Sequence, residues 1–188
     1  ENSNMAITSG AILTRVNQIT KRDVTDIDEI LKEALVEISE RTDCLKSSTT
    51  GTLSADTNTI TEPSDLIDID ELYLDDELLN PITLAEWREG KINGYARWNN
   101  TIYVNPEPNT DKNYTLYYSK RHALSTTIEY GDEFQPAIVW LVAMKLYENY
   151  EIDEKALRAE RKYERELAKI SPDEAIGVSR QHSKSRIR

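Results

Sequence analysis

Apolar residues recur at three-to-four spacing in four stretches of the chain, and at a spacing of two in one region between them. Ile12, Leu13, Val16 and Ile19 share one face, which predicts a helix over about 10–20. "KRDVTD" interrupts that pattern, with Asp23 or Thr25 placed to cap the next helix by accepting from its free N–H groups. Ile27, Ile30, Leu31, Ala34, Leu35 and Ile38 then form a stripe with Glu29, Lys32, Glu33 and Glu37 outside it, so an amphipathic helix is expected over about 25–42. The stretch 134–150, which contains "PAIVWLVAM", is apolar nearly all round and should be the most buried helix. Ala156, Leu157, Tyr163, Leu167 and Ile170 mark the inner face of a last helix over 153–170, which Pro172 ends. The expected core of this helical part is Leu31, Leu35, Ile38, Ile138, Leu141, Val142, Leu157 and Leu167.

Between the two helical pairs the period changes. "KSSTTGTLSADTNTITEPSD" is rich in Ser, Thr, Gly and Asn and reads as a polar loop with a short hairpin around Asp56 to Asn58. From Leu66 to Tyr118 the signals are mainly β. Leu72 and Leu74 alternate with Tyr73, Asp75–Asp76 makes a turn, and "ELLNPI" returns. "TLAEWREGK" predicts one short helix ending at Gly90. "YARWNNTIYV" is the clearest hairpin, because Asn99 and Asn100 tolerate the positive φ that a tight hairpin turn requires. "PEPNTDKN" is a further turn before the strand "YTLYYSK".

The expected fold is therefore α+β: a four-helix bundle-like core, made of two N-terminal and two C-terminal helices, with a β-rich insertion over about 51–122. At 188 residues the chain is long enough to bury a core without disulfides or metals. Glu1 to Asn4 read as the remnant of a cleaved tag, residues 5–170 as one domain, and 171–188 as a flexible basic arm. Ile176, Val178 and Ile187 are the only sizeable apolar groups in that arm, too few to fold by themselves. No apolar run approaches the roughly 20 residues that cross a bilayer, and no secretory signal is visible. Cys44, the single cysteine, excludes an internal disulfide and a cysteine zinc cage, and favours a reducing, cytosolic setting.

Charge narrows the chemistry. The net charge is −11, but "SRQHSKSRIR" from Ser179 to Arg188 carries four positive charges, leaving −15 for the rest. Such a body repels phosphate and argues against general DNA binding. Eight carboxylates and no Lys or Arg lie between Glu62 and Glu77. A calcium loop starting at Asp68 would place Leu72 and Tyr73 where an oxygen ligand and a glycine are needed, so that motif fails. On a strand Asp68 and Asp70 would stand side by side, about 7 Å apart, rather than converge. Asp68, Asp70, Asp75, Asp76 and Glu77 are expected on a solvated sheet face or edge, where charge discourages stray strand pairing.

Catalysis finds no footing. His122 and His182 are the only histidines, no nucleophile elbow or glycine-rich phosphate loop occurs, and no cofactor or metal is implied. His122 suits structural hydrogen bonding and Cys44 a small buried site. Tyr95, Trp98, Tyr103, Tyr114, Tyr117 and Tyr118 could stack bases, but few cations accompany them, and cross-strand packing is the better reading.

Taken in order, "ILTRVNQITKR" and "DEILKEALVEISERTD" resemble the opening helices of tailed-bacteriophage head–tail connector (adaptor) proteins. "WNNTIYVNPEPNTDKNYTLYYSKRHALST" resembles their β-rich middle, and "FQPAIVWLVAMKLYENY" with the charged helix after it resembles their closing helices. The similarity covers roughly Gly10 to Ile170 and is one of layout. It implies a structural virion protein, made in the host cytoplasm, that forms a ring, usually of twelve subunits, beneath the portal. That ring extends the DNA channel and receives tail or neck proteins. It implies no chemistry. The arm residues Ile176, Val178, Arg180, Lys184, Arg186, Ile187 and Arg188 would meet the portal or a neighbouring subunit. A nucleic-acid-binding accessory protein working through its basic tail is the alternative, and a carboxylate-dependent enzyme a more distant one.

Overall fold

The computed structural model describes residues 7–170. They form a mixed α/β structure with five helices and two antiparallel sheets. The chain divides into two compact units: a helical one built from both ends of the described chain, and a β unit over Asp43–Arg121.

In the helical unit, α1 (Ser9–Thr20), α2 (Asp28–Thr42) and α5 (Asp153–Ile170) each pack on α4 (Gln135–Asn149). The reason is visible in α4 itself. Ala137, Ile138, Val139, Leu141, Val142, Ala143, Leu146 and Tyr147 are all buried, and they point in every direction around its axis. A helix that is apolar on all sides must be covered on all sides. The N-terminal helices meet it with Ile12 and Val16, and with Leu31, Ala34, Leu35 and Ile38. Two ion pairs brace this packing at its surface: Lys145 Nζ lies 2.8 Å from Glu37, and Arg41 lies 2.8 Å from Glu164.

Two helical expectations need correction. Leu157 is 54% exposed, not core. Ala156, Ala159, Tyr163 and Leu167 are the buried residues of α5, and a helix turning about 100° per residue carries Leu157 off that stripe. Helix α2 starts at Asp28 rather than near Thr25. Asn17 explains the delay, since its side-chain amide pairs with both the N–H and the C=O of Val24 and holds the connection in place. Asp26 then accepts from the Asp28 N–H, in the role expected of Asp23 or Thr25.

The β unit contains β1 (Lys46–Leu53), β2 (Thr59–Thr61), β3 (Leu66–Leu74), β4 (Glu77–Leu79), α3 (Leu84–Glu89), β5 (Gly94–Trp98), β6 (Thr101–Asn105) and β7 (Lys112–Lys120). One sheet runs β1-β7-β3-β4 and the other β2-β6-β5. Leu53, Leu72, Leu79, Leu116 and Tyr118 of the first meet Ile60, Tyr95, Ile102 and Val104 of the second in one core. The expected β5–β6 hairpin is present, with Asn99 and Asn100 at φ 52° and 59°. The short helix α3 is present too. A Thr83–Glu86 capping box starts it and Gly90, at φ 66°, ends it.

The polar segment after Cys44 is not the expected loop. Lys46–Leu53 is a strand paired along its whole length with β7, while β2 joins the other sheet, so no hairpin links them. Lys46, Ser48, Thr50 and Thr52 face water, while Ser47, Thr49, Gly51 and Leu53 turn inward. Threonine has strand propensity without hydrophobicity, so the alternation is real but invisible to an apolar count. Gly51 leaves room for the ring of Tyr114, directly opposite on β7.

Gly94 has the sharper steric role. The Tyr95 N–H donates to the Asn80 carbonyl at 2.9 Å and the Ile82 N–H to the Tyr95 carbonyl at 2.8 Å, so two backbones pass close together. A Cβ on Gly94 would overlap the Asn80 oxygen and the Ile82 side chain. Gly94→Ala should lower stability by about 1–3 kcal/mol. Gly10→Ala in open space on α1 should be neutral or raise it by up to about 1 kcal/mol. Urea unfolding of the two variants checks the contrast.

Candidate interaction surface

The four-stranded sheet has two unlike faces. Leu72, Leu116 and Tyr118 point into the core. On the other side β1 presents Lys46, Ser48, Thr50 and Thr52, β7 presents Thr115 and Tyr117, and β3 with β4 adds Tyr73 and Leu78. Tyr73 and Tyr117 meet edge-to-face with ring centroids 6.2 Å apart. Glu71, Tyr73, Asp75, Asp76, Thr115 and Tyr117 line a shallow depression of about 340 Å³ there. Of the aromatic group expected to pack inside, Tyr95 and Tyr118 do so, but Trp98 and Tyr117 stand in solvent. Trp98 adjoins the hairpin turn, and Tyr117 belongs to the outer face of β7.

Most of the eight carboxylates in this region hold the unit together. Glu62 is nearly buried and makes a two-pronged pair with Arg97, at 2.7 and 2.9 Å, while the same guanidinium donates to the Ile67 carbonyl at 2.7 Å. Asp65 accepts from the Tyr118 hydroxyl. Asp68 accepts from the Ile69 N–H; burial, and after it the Asp68 charge, pushes the Tyr95 hydroxyl up to a pKa of about 12. Asp70 pairs with Lys46 at 2.9 Å and accepts from Ser119. Two register shifts in β3, between Leu66 and Asp68 and between Ile69 and Glu71, place Asp70 at a bulge rather than in a plain alternation with Asp68. Glu71 accepts from the Tyr73 hydroxyl.

Asp75, in the left-handed region at φ 51°, closes the β3–β4 turn. The Lys112 ammonium 2.6 Å away and the Asn113 N–H hold its carboxyl below the usual carboxylate range. Only Asp76 and Glu77 of the eight make no hydrogen bond or ion pair among the described residues: Asp76 is at the tip of the turn beside the exposed Leu78 face, and Glu77, opposite Leu74 in β4, projects to the other face, where its charge acts on Lys112. Among the described residues no three His, Cys, Asp or Glu side chains are grouped to hold a metal. His122 is buried, with each ring nitrogen facing a backbone carbonyl and its ring stacked on Tyr130, which is structural hydrogen bonding. Among the described residues no helix is long and apolar enough to cross a membrane.

One protein family accounts for nearly the whole length of the chain. The model of the SU10 adaptor protein family matches residues 7–186. The chain belongs to that family. It is thus a structural bacteriophage protein of the head–tail adaptor kind, which places it in the virion in association with other head or tail proteins. No curated protein matches the chain. The family match runs through most of the basic arm, but Ile176, Val178, Arg180, Lys184, Arg186, Ile187 and Arg188 lie outside the described residues. For Asp68, Asp70, Asp75, Asp76 and Glu77 the structure separates three anchored positions from two free ones. Sequence reasoning missed that division, because the cations that anchor Asp70 and Asp75, Lys46 and Lys112, are 24 and 37 positions away from them, while Asp68 is held by the neighbouring Ile69 N–H.

Two measurements test this arrangement. Arg97→Ala leaves the enclosed Glu62 carboxylate without its partner and should cost about 2–3 kcal/mol in urea unfolding. Replacing both residues by apolar ones should recover much of that loss. The folded state lowers the Asp75 carboxyl from 3.8, so the pair stabilises at higher pH and its contribution fades as pH falls from that value through the lower folded one. Asp75→Asn should therefore flatten the acid limb of a plot of melting temperature against pH below about pH 4.

Proposed function

We propose that this adaptor-family chain forms the ring between the portal of a phage head and the tail, extending the DNA channel and giving the tail a platform. The family match over residues 7–186 carries the reading. In it, residues 5–170 act as one connector domain whose four long helices work as a bundle-like body, and 171–188 act as the arm. The subunits are monomeric or weakly associated alone, and the portal templates a ring of about twelve, because acidic bodies repel one another. The same charge suits a channel: an acidic body would keep a passing duplex from sticking, where Lys or Arg would hold it. The chain performs no reaction of its own.

The arm supplies the attachment. Arg180, Lys184, Arg186 and Arg188 meet carboxylates of the portal or a neighbour, with Ile176, Val178 and Ile187 as apolar anchors. Each exposed ion pair contributes only ~0.2–1 kcal/mol, so several must act together with the anchors. A chain truncated after Ile170 should keep its helical content and melting temperature yet fail to join portal particles in a pull-down. Normal assembly of the truncated chain would overturn the arm's role. Loss of salt-sensitive duplex DNA binding on truncation, with portal binding intact, would favour the accessory nucleic-acid role instead.

A further inference from the structure

The helical unit carries a feature at odds with the chain's net charge. At the end of α1, a groove of about 600 Å³ opens between that helix and α5, with α4 as its floor. Ile19, Trp140 and Tyr147 supply apolar surface, and Lys21, Arg22, Lys155 and Arg158 supply the rim. No carboxylate is among the lining residues. Arg22 lies over the Tyr150 ring, 3.9 Å from its centroid, and Lys155 is 5.7 Å from that of Tyr147. Among the described residues Lys21, Arg22 and Lys155 pair with no acid, and Arg158 reaches only Glu154, at 3.7 Å in full solvent. Cations at the end of α1 suit its negative pole. Lys155 and Arg158 stand near the start of α5, where the pole is positive and cations are disfavoured, so helix electrostatics do not account for them.

We infer that this groove receives the β3–β4 turn of a second copy of the chain, with Asp76 against the cationic rim and Leu78 on the floor beside Trp140. The turn is the complement in each respect. Asp76 makes no hydrogen bond or ion pair among the described residues, whereas Asp75 is already held by Lys112. Leu78 is 48% exposed beside Asp76. A volume of this size admits a few side chains rather than a whole element, which suits the tip of a tight turn. Groove and turn are different surfaces of one chain, so the contact is head-to-tail, and a head-to-tail contact that closes makes a ring. The inference rests on the ring reading above and names the surfaces that would join its subunits.

The test uses full-length chains with Cys44→Ser, one carrying Glu154→Cys, beside the rim, with a mass tag and the other Glu77→Cys, beside Asp76. Mixed at high concentration and low salt under mild oxidation, they should give at least fivefold more mixed dimer than either self-dimer. The excess should disappear in about 0.5 M salt, where screening shortens to a few ångströms. Arg22→Glu with Lys155→Glu in the first chain should abolish the excess. Adding Asp76→Lys to the second chain should restore it. Mixed dimers at the statistical level, or an excess indifferent to salt and to charge reversal, would overturn the inference. So would a groove variant that traps no copy but loses portal binding, which would assign the groove to the portal. If the cysteine chains trap in this way yet never join portal particles, the pairing stands and the ring reading fails. Rings on the portal without the trapped pair would show the reverse.

Discussion

Everything in the helical unit follows from the covering of α4. A helix with apolar residues on every side cannot rest at a surface, and one neighbour covers only a stripe of it. Three neighbours are supplied, and they come from opposite ends of the chain: α1 and α2 from before the β unit, α5 from after it. Closing that core therefore requires Asp43–Arg121 to leave and re-enter as an excursion. The excursion is long enough to bury its own apolar residues between two sheets, so it forms a compact unit with a separate core. Buried alanines at 143, 156 and 159 let α5 lie close on α4.

Charge is handled differently in the two units. In the β unit an acidic sequence is disciplined by a few cations placed on other strands. Arg97 reaches Glu62 and the Ile67 carbonyl, Lys46 reaches Asp70, and Lys112 reaches Asp75. Each of these contacts fixes a strand edge or a turn as well as neutralising charge. The surplus is left around the end of one turn, at Asp76 and at Glu77, the first residue of β4. In the helical unit the reverse holds at one groove, where a chain of net charge −11 concentrates cations without matching acids. A structural adaptor of the virion has to make specific contacts with other head or tail proteins. Segregated charge of this kind serves that need, because complementary patches guide protein contacts.

Much of this architecture is written in local pattern. The helical stripes, the apolar α4, the Asn99–Asn100 hairpin, the Asp75–Asp76 turn and the Gly90 stop follow from spacing and turn chemistry, and those are properties of neighbouring residues. Other features depend on partners far along the chain. Lys46–Leu53 is a strand because β7 lies beside it, and nothing apolar in "KSSTTGTL" announces that. Leu157 is exposed because α4 covers the face of α5 centred on Ala156, Ala159 and Tyr163, and an apolar residue one position away earns no burial from its type alone. The roles of the carboxylates were hidden for the same reason. Composition and order determine that a region is acidic, but a carboxylate becomes an anchor or a free contact according to which distant cation the folded backbone brings within about 3 Å.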